Sequence, residues 1–294
     1  MKTMRHIYIK GIMAAVALMS LASCVKDDLY DPGIGPGPEP GYDSWLLIRP
    51  DFSDATFEAV IPPVTRLCVN DYDVYNETSE AQFKVPVPYG TFNLLTYSLP
   101  EGISANGRIA SVDPVGGTKA TAEIEPQPGY LFASAMEVTV DKAGEQIVTM
   151  PMKQLVRRLN FKIYENYGGD YEGIYVESAE ATLNGVATSV DLVSGELSGD
   201  AASVSGTFEN SGIEHSLFFR ILGVVPAERQ ILTVELTWSN GDKQTIETNL
   251  TDLITEDDYD IQIFESEITP PASGEVGGEL SPWQTVDGGG GDAI

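Results

Sequence analysis

Leu232-Thr233-Val234-Glu235-Leu236-Thr237-Trp238, then Ser239-Asn240-Gly241-Asp242, then residues 243–250, is the stretch on which the fold turns. Leu232, Val234, Leu236 and Trp238 recur at every second position, with Thr233, Glu235 and Thr237 between them. A period of two sends the apolar set to one face of a strand and the polar set to the other. Asn240-Gly241 supplies the positive φ angles of a tight hairpin, so the segment predicts two antiparallel strands with one wet face.

The same pattern extends outward from this hairpin. Upstream, Leu159, Phe161 and Ile163 share one face of a strand over 156–163. A strand over 174–183 leads through Asn184-Gly185, which reads as a turn, into 186–192. Strands over 203–208 and 216–225 follow, and a last one over 258–264. In the front half, Trp45-Leu46-Leu47-Ile48 reads as a strand, as do 66–71, 82–87, 91–97, 121–125, 130–140 and 146–152, with a turn at Ala105-Asn106-Gly107-Arg108. No stretch of the front half keeps a period of 3.6 over ten residues. Strands spaced by Gly, Pro and Asn in this way predict an all-β chain of antiparallel β-sandwiches.

Residues 44–269, roughly 225 of them, suit two domains of about 110 each. The boundary falls near Met152, giving an N-terminal β-sandwich over 44–152 and a C-terminal one over 153–269. Pro and Gly alternate from Asp31 to Gly41. Such a run holds neither helix nor sheet and reads as a tether over 24–43. Residues 270–294 form a Gly-rich tail in which Trp283 argues for docking, because an indole is costly to leave in water.

At the N-terminus, Lys2, Arg5 and Lys10 precede a short apolar run over 11–21, which has the length of a signal-peptide core and is too short to span a bilayer. Residues 1–23 are therefore read as a signal peptide. Leu21-Ala22-Ser23-Cys24 looks like a bacterial lipobox, in which an acylated Cys24 becomes the new N-terminus. Lys26, Asp27 and Asp28 resemble the export signal that carries lipoproteins to the cell surface in Bacteroidetes. One acyl chain binds a membrane only marginally; the two or three chains of a lipoprotein cysteine hold it there.

Three of the 17 basic residues lie in the first 23, so the rest carries 14 against 44 acids, a balance of −30. A body so acidic repels nucleic acid and anionic headgroups, which excludes nucleic-acid binding. Solubility at a crowded surface accounts for the acids. A calcium site is the sharper alternative, at Asp71, Asp73, Asn76 and Glu77 or at Asp257, Asp258 and Asp260, although neither set has the spacing of an EF-hand loop. No metal and no cofactor is expected.

Catalysis has little to stand on. There is no Gly-x-Ser-x-Gly, no phosphate-binding glycine loop and no Cys/His metal cluster. Past residue 23 only His215 and Cys68 remain beside Cys24. His215 reads as a surface turn residue and Cys68 as a small buried hydrophobe. Tyr164, Tyr167, Tyr171 and Tyr175 lie close in sequence and offer rings that could stack on sugars, against the plainer reading that Tyr favours strands and the loops between them.

Taken together, these features resemble the fimbrillin-like lipoproteins of Bacteroidetes, which supply subunits and anchors of type V pili. Val87-Pro88-Tyr89-Gly90-Thr91-Phe92-Asn93-Leu94-Leu95 is similar to a strand-turn-strand segment of the family's first domain. Leu155-Val156-Arg157-Arg158-Leu159-Asn160-Phe161 is similar to the opening strand of its second, and residues 283–291 to its end. The early Cys24 with Lys26-Asp27-Asp28 fits the minor or anchor branch. The resemblance implies two transthyretin-like sandwiches in tandem, an outer-membrane lipid anchor, and pilin-like partners bound by strand addition. It also implies that polymerising members are trimmed after a basic residue of the first domain, freeing a strand. Arg49, followed by Pro50, is a poor site for a trypsin-like protease; Arg66 and Arg108 are the other candidates. Trp45, Leu46, Leu47 and Ile48, with Trp283 in the tail, are the candidate partner strand and tail. A host or glycan ligand bound through exposed Tyr and Trp is the alternative function.

Overall fold

The computed structural model describes residues 43–71, 73–115, 122–125, 127–167, 173–254, 261–271 and 278–286. Cys24, Lys26, Asp27, Asp28, Tyr171 and the Asp257, Asp258 and Asp260 cluster lie outside them. Among the described residues there is no helix. The front half holds β1 (Ser44–Asp51), β2 (Thr65–Val69), β3 (Val74–Thr78), β4 (Phe83–Val87), β5 (Gly90–Ser98), β6 (Ser104–Asn106), β7 (Ile109–Ser111), β8 (Phe132–Val140), β9 (Gly144–Pro151) and β10 (Lys153–Gln154). The back half holds β11 (Arg157–Glu165), β12 (Val176–Asp191), β13 (Leu197–Thr207), β14 (Glu209–Ser211), β15 (Glu214–Ile221), β16 (Ile231–Trp238), β17 (Lys243–Asn249), β18 (Gln262–Thr269), β19 (Glu279–Leu280) and β20 (Gln284–Val286).

The strands form two sandwiches with one topology used twice. In the first, the sheet β4-β1-β9 faces a sheet that includes β8-β5-β2-β3. In the second, β15-β11-β18 faces β17-β16-β12, with β13 paired to β12. Counting the seven principal strands of each in chain order, the arrangement is identical. The fourth, first and last lie in one sheet; the sixth, fifth, second and third lie in the other. The all-β fold expected from the sequence is the one observed.

Two pairings depart from the antiparallel expectation: β1 runs parallel to β9, and β11 parallel to β18. Alternating polarity reports one-sided burial and carries no information on strand direction. In β1 the central position leaves a trace in the side chains, because Leu46, Leu47 and Ile48 are all buried, as parallel and central strands require.

The opening hairpin is β16–β17, in unbroken register from Ile231–Asn249 to Thr237–Lys243. Leu232, Val234, Leu236 and Trp238 are at most 1% exposed. Its loop needs a positive φ only at Gly241 (+88°). Asn240 instead braces the loop with its side chain, accepting the N–H of Asp242 (3.0 Å).

Asn184-Gly185 is not a turn. It lies inside β12, a single 16-residue strand, at a bulge between Asn184 and Val186. Gly185 has φ +79°, and a Cβ there would stand 2.8 Å from the carbonyl oxygen of Arg229. The bulge frees the strand from β16 and swings it across to residues 223–225, where Val225 donates to Gly185 and Ala187 to Gly223. The strand read over 121–125 is also different. Residues 122–124 hydrogen-bond to Ser203 of β13 from across the sandwiches.

One apolar core fills the far end of the first sandwich, from Leu46 and Ile48 of β1 to Phe92 and Leu94 of β5 and Met150 of β9. A second, larger core runs without interruption from Cys68, Tyr97 and Phe132 of the first sandwich to Phe161, Trp238 and Trp283 of the second. The β5–β8 connection strengthens this join. Its β6–β7 hairpin pairs with the end of β12. Arg108 at the hairpin tip forms an ion pair with Asp191 of that strand.

Candidate functional site

In a chain of sheets the reactive surface is the set of strand edges, since an unpaired edge offers a ladder of N–H and C=O groups to another chain. Each edge is therefore defined by what covers it.

β1 has no open edge. It is bonded to β4 from Ser44–Val87 to Ile48–Phe83 and to β9 from Ser44–Gly144 to Asp51–Pro151. Leu46 and Ile48 are fully buried and Leu47 is nearly so, while Trp45 is half-buried under the ammonium of Lys84, 4.8 Å from its ring. The candidate partner strand is thus the centre of its own sheet. Arg49 is exposed and donates from Nε to Gln82 Oε1 at 3.2 Å.

The loop after β1, residues 52–64, is pinned mainly to its own sandwich and reaches the second through one ion pair. Phe52 packs edge-on against Phe132 with ring centroids 5.3 Å apart. Thr56 donates from its N–H and its hydroxyl to Gln154 Oε1, and Glu58 forms an ion pair with Arg158. Phe57 at the tip is fully exposed. The loop contains no Lys or Arg.

The tail closes the far edge of the second sandwich. β19 and β20 both pair antiparallel with β18. Between them Trp283 is 5% exposed and packs edge-on against Phe161, 5.6 Å between centroids. Ser266 Oγ donates to the carbonyl of Ser281 at 2.6 Å. Gln244 of β17 holds Gly278 from both sides, donating to its carbonyl and accepting its N–H, each at 2.7 Å. Along the facing sheet, residues 122–124 cover part of β13. The long strands left outermost among the described residues are β9, β17 and, either side of Ser203, β13.

His215 is 1% exposed, which corrects the reading of it as a surface turn residue. Its Nε2 lies 2.8 Å from Glu165 Oε1, and the other carboxylate oxygen accepts the N–H of Val176 at 3.0 Å. Nothing near position 215 in the chain could have signalled this, because the partner is fifty residues away. Cys68 is fully buried; burial, with Asp71 and Asp73 nearby, pushes its thiol up to about 11, so it is not a nucleophile near neutral pH.

The Asp71, Asp73, Asn76 and Glu77 cluster is occupied with its own turn. Asp71 Oδ1 accepts the N–H of Asp73 and Asn76 Oδ1 that of Glu77. Glu77 pairs with Arg66 at 2.5 Å, a hydrogen bond that raises the guanidinium's pKa further. Among the described residues no group of three or more His, Cys, Asp or Glu side chains is placed to hold a metal ion. Of the tyrosines, Tyr164 donates to Glu265 Oε1 at 3.3 Å from the outer face of β11, and Tyr175 is 47% exposed. Tyr167 is half-buried.

Comparison with known proteins places this arrangement. The family model for fimbrillin-A associated anchor proteins Mfa1 and Mfa2 matches residues 66–288, and the chain belongs to that family. No curated protein sequence matches. Among solved structures, a candidate polysaccharide-binding protein from Bacteroides thetaiotaomicron superposes with a TM-score of 0.56 at 10% identity, over 77% of this chain and 92% of that one. A candidate adhesin from Bacteroides ovatus superposes with 0.53 at 13% identity, over 83% and 96%. The fimbrial anchor protein Mfa2 from Porphyromonas gingivalis gives 0.49 at 10% identity, over 82% and 96%.

Proposed function

We propose that this chain is a cell-surface lipoprotein that serves as the anchor or a minor subunit of a fimbrium. Two or three acyl chains on Cys24 hold it in the outer membrane, and the Pro/Gly tether sets the sandwiches away from the bilayer. It performs no catalysis; its partners are pilin-like chains that add a strand to an open sheet edge. Of the long outer strands, β17 keeps an unbroken register, and β9 carries an exposed Ile147.

One observation carries the choice of anchor over polymerising subunit. Freeing β1 by a cut after a basic residue needs that residue in an accessible loop behind the strand. The loop over 52–64 has none. Arg49 lies within β1 and precedes Pro50, and Arg66 lies within β2, paired to Glu77. Arg108 lies in the β6–β7 turn and is paired to Asp191. On this reading β1 stays in its sheet and the lipid stays on the chain.

Intact mass and N-terminal mapping of the protein from its own cell envelope test this. The expected product begins at an acylated Cys24. An unlipidated chain beginning at Pro50, Leu67 or Ile109 would make it an assembled, trimmed subunit instead.

A further inference from the structure

The outer face of β11 and β15 carries a feature that neither anchoring nor strand addition uses. The two strands pair antiparallel, and their register sets Arg158 directly opposite Arg220, and Asn160 opposite Phe218. Like charges facing each other across an antiparallel pair oppose folding. Here they do so in a chain of net charge −27 that has few basic residues to place. A concavity of about 630 Å³ opens over them, a volume in the range of small-molecule sites.

The two guanidiniums are in different states. Arg158 lies 4.1 Å from the centroid of the Phe218 ring, donates from Nε to Asn160 Oδ1 at 2.7 Å, and pairs with Glu58 from the β1–β2 loop. Arg220 approaches the ring of Tyr130 at 6.0 Å, and its Nε is enclosed without a hydrogen-bond partner among the described residues. A buried donor left unmet is costly, and this one is covered by protein, so it is the rest of the Arg220 side chain that lines the concavity. Phe218 is 41% exposed beside it. The site therefore offers two guanidiniums side by side, one of them paired to a displaceable loop carboxylate, a flat apolar ring, and an amide and a hydroxyl from Asn160 and Ser216.

We propose that this concavity binds a singly carboxylated sugar residue, a uronic acid or a sialic acid, with the carboxylate between Arg158 and Arg220 and the ring against Phe218. Planar guanidinium forks match a carboxylate in two-point fashion. The rim supplies Glu58, Glu209 and Glu214. With the acidic body behind them, these repel polyanions such as sulfated chains while leaving a lone carboxylate acceptable. A peptide gains most of its hold from an open strand edge, whereas the concavity lies on a sheet face whose backbone is already paired across β11 and β15. Glu58 occupies the carboxylate position on Arg158, so the loop competes with the ligand.

Calorimetric titration of the purified full-length protein with 3′-sialyllactose, with a glucuronate-terminated disaccharide and with lactose tests this. The first two arms distinguish sialic from uronic acid; lactose lacks the carboxylate. Saturable binding of either acid and none of lactose is expected. Arg220→Gln should weaken it about tenfold or more, the effect of losing one charge-assisted contact. Glu58→Gln should strengthen it by freeing Arg158, a gain that a purely structural role for Glu58 does not produce. If Arg220→Gln fails to fold, Arg158→Gln and Glu58→Gln carry the same test. Equal binding of lactose, absence of binding at millimolar acid, equal binding of polyglutamate, or weaker binding by Glu58→Gln would each overturn the proposal.

Discussion

Gly278 of the tail lies against the indole of Trp238: a Cβ at 278 would stand 2.7 Å from ring carbons Cζ2 and Cη2 and 2.3 Å from the carbonyl oxygen of Thr269. The tail enters its groove through this contact, under the clamp of Gln244. Backbone on one side and a fully buried Trp on the other leave no room to give. Gly278→Val should therefore lift β19 and β20 from β18 and destabilise the protein by about 1–3 kcal/mol, the usual cost of forcing a side chain into a packed core. Urea unfolding measures the loss, and limited proteolysis should release the tail before any internal fragment. A variant as stable and as resistant as the parent would show that the tail is not part of the fold's stability.

Trp283 gives the same question a second handle. It fills the space beside Phe161 and contributes to the larger core. Trp283→Ala should cost about 3–5 kcal/mol, as other large-to-small core changes do. Because the residue lies between the two short tail strands, the expected signature is loss of tail protection in amide exchange together with the drop in global stability.

How far the fold was legible follows from which interactions are local. The β16–β17 hairpin was, because every second side chain from Leu232 to Trp238 enters one core and the sequence alone displays that period. β3 leaves no strand signature because Val74 and Tyr75 are both exposed, and its Glu77 with the preceding Asp71 and Asp73 reads equally as a set of calcium ligands. Asn184-Gly185 was misread because a bulge and a hairpin turn ask for the same positive φ; only Arg229, far along the chain, distinguishes them. The parallel partners of β1 and β11 arrive about a hundred residues later and leave no periodic mark. The same holds for the candidate sugar site: Arg158 and Arg220 look like ordinary alternating charges until register sets them opposite one another.

The pair His215–Glu165 should be the most sensitive polar contact in the protein. Both side chains are at most 2% exposed, and Glu165 also holds the start of β12 through the N–H of Val176. Removing the imidazole leaves a buried carboxylate with one partner fewer. His215→Ala should cost about 3–5 kcal/mol, whereas replacing both residues with Leu should recover only part of it, since the apolar pair removes the buried charge but leaves the N–H of Val176 without its acceptor. Urea unfolding of the two single variants and the double variant decides the matter; additive losses would mean that the two side chains act independently.

The Arg108–Asp191 ion pair makes the join between the sandwiches sensitive to acid. Burial pushes the Asp191 carboxyl up, but the Arg108 guanidinium and the N–H groups of Ser194 and Val193 outweigh it and hold the pKa below the usual aspartate value. A carboxyl whose folded pKa lies below its unfolded one stabilises the fold above the unfolded value, near pH 4. That contribution is lost as pH falls through the folded pKa, because the unfolded chain then takes up the proton first. Stability should thus decline below about pH 4, and Asp191→Asn should be less stable at neutral pH with a shallower acid limb. The β6–β7 hairpin depends on this contact as well as on its pairing with β12. Amide exchange at Ala110 and Val190 should therefore rise in the variant at neutral pH and in the parent only on acidification. Identical acid limbs for the two proteins would show that other carboxylates govern the transition.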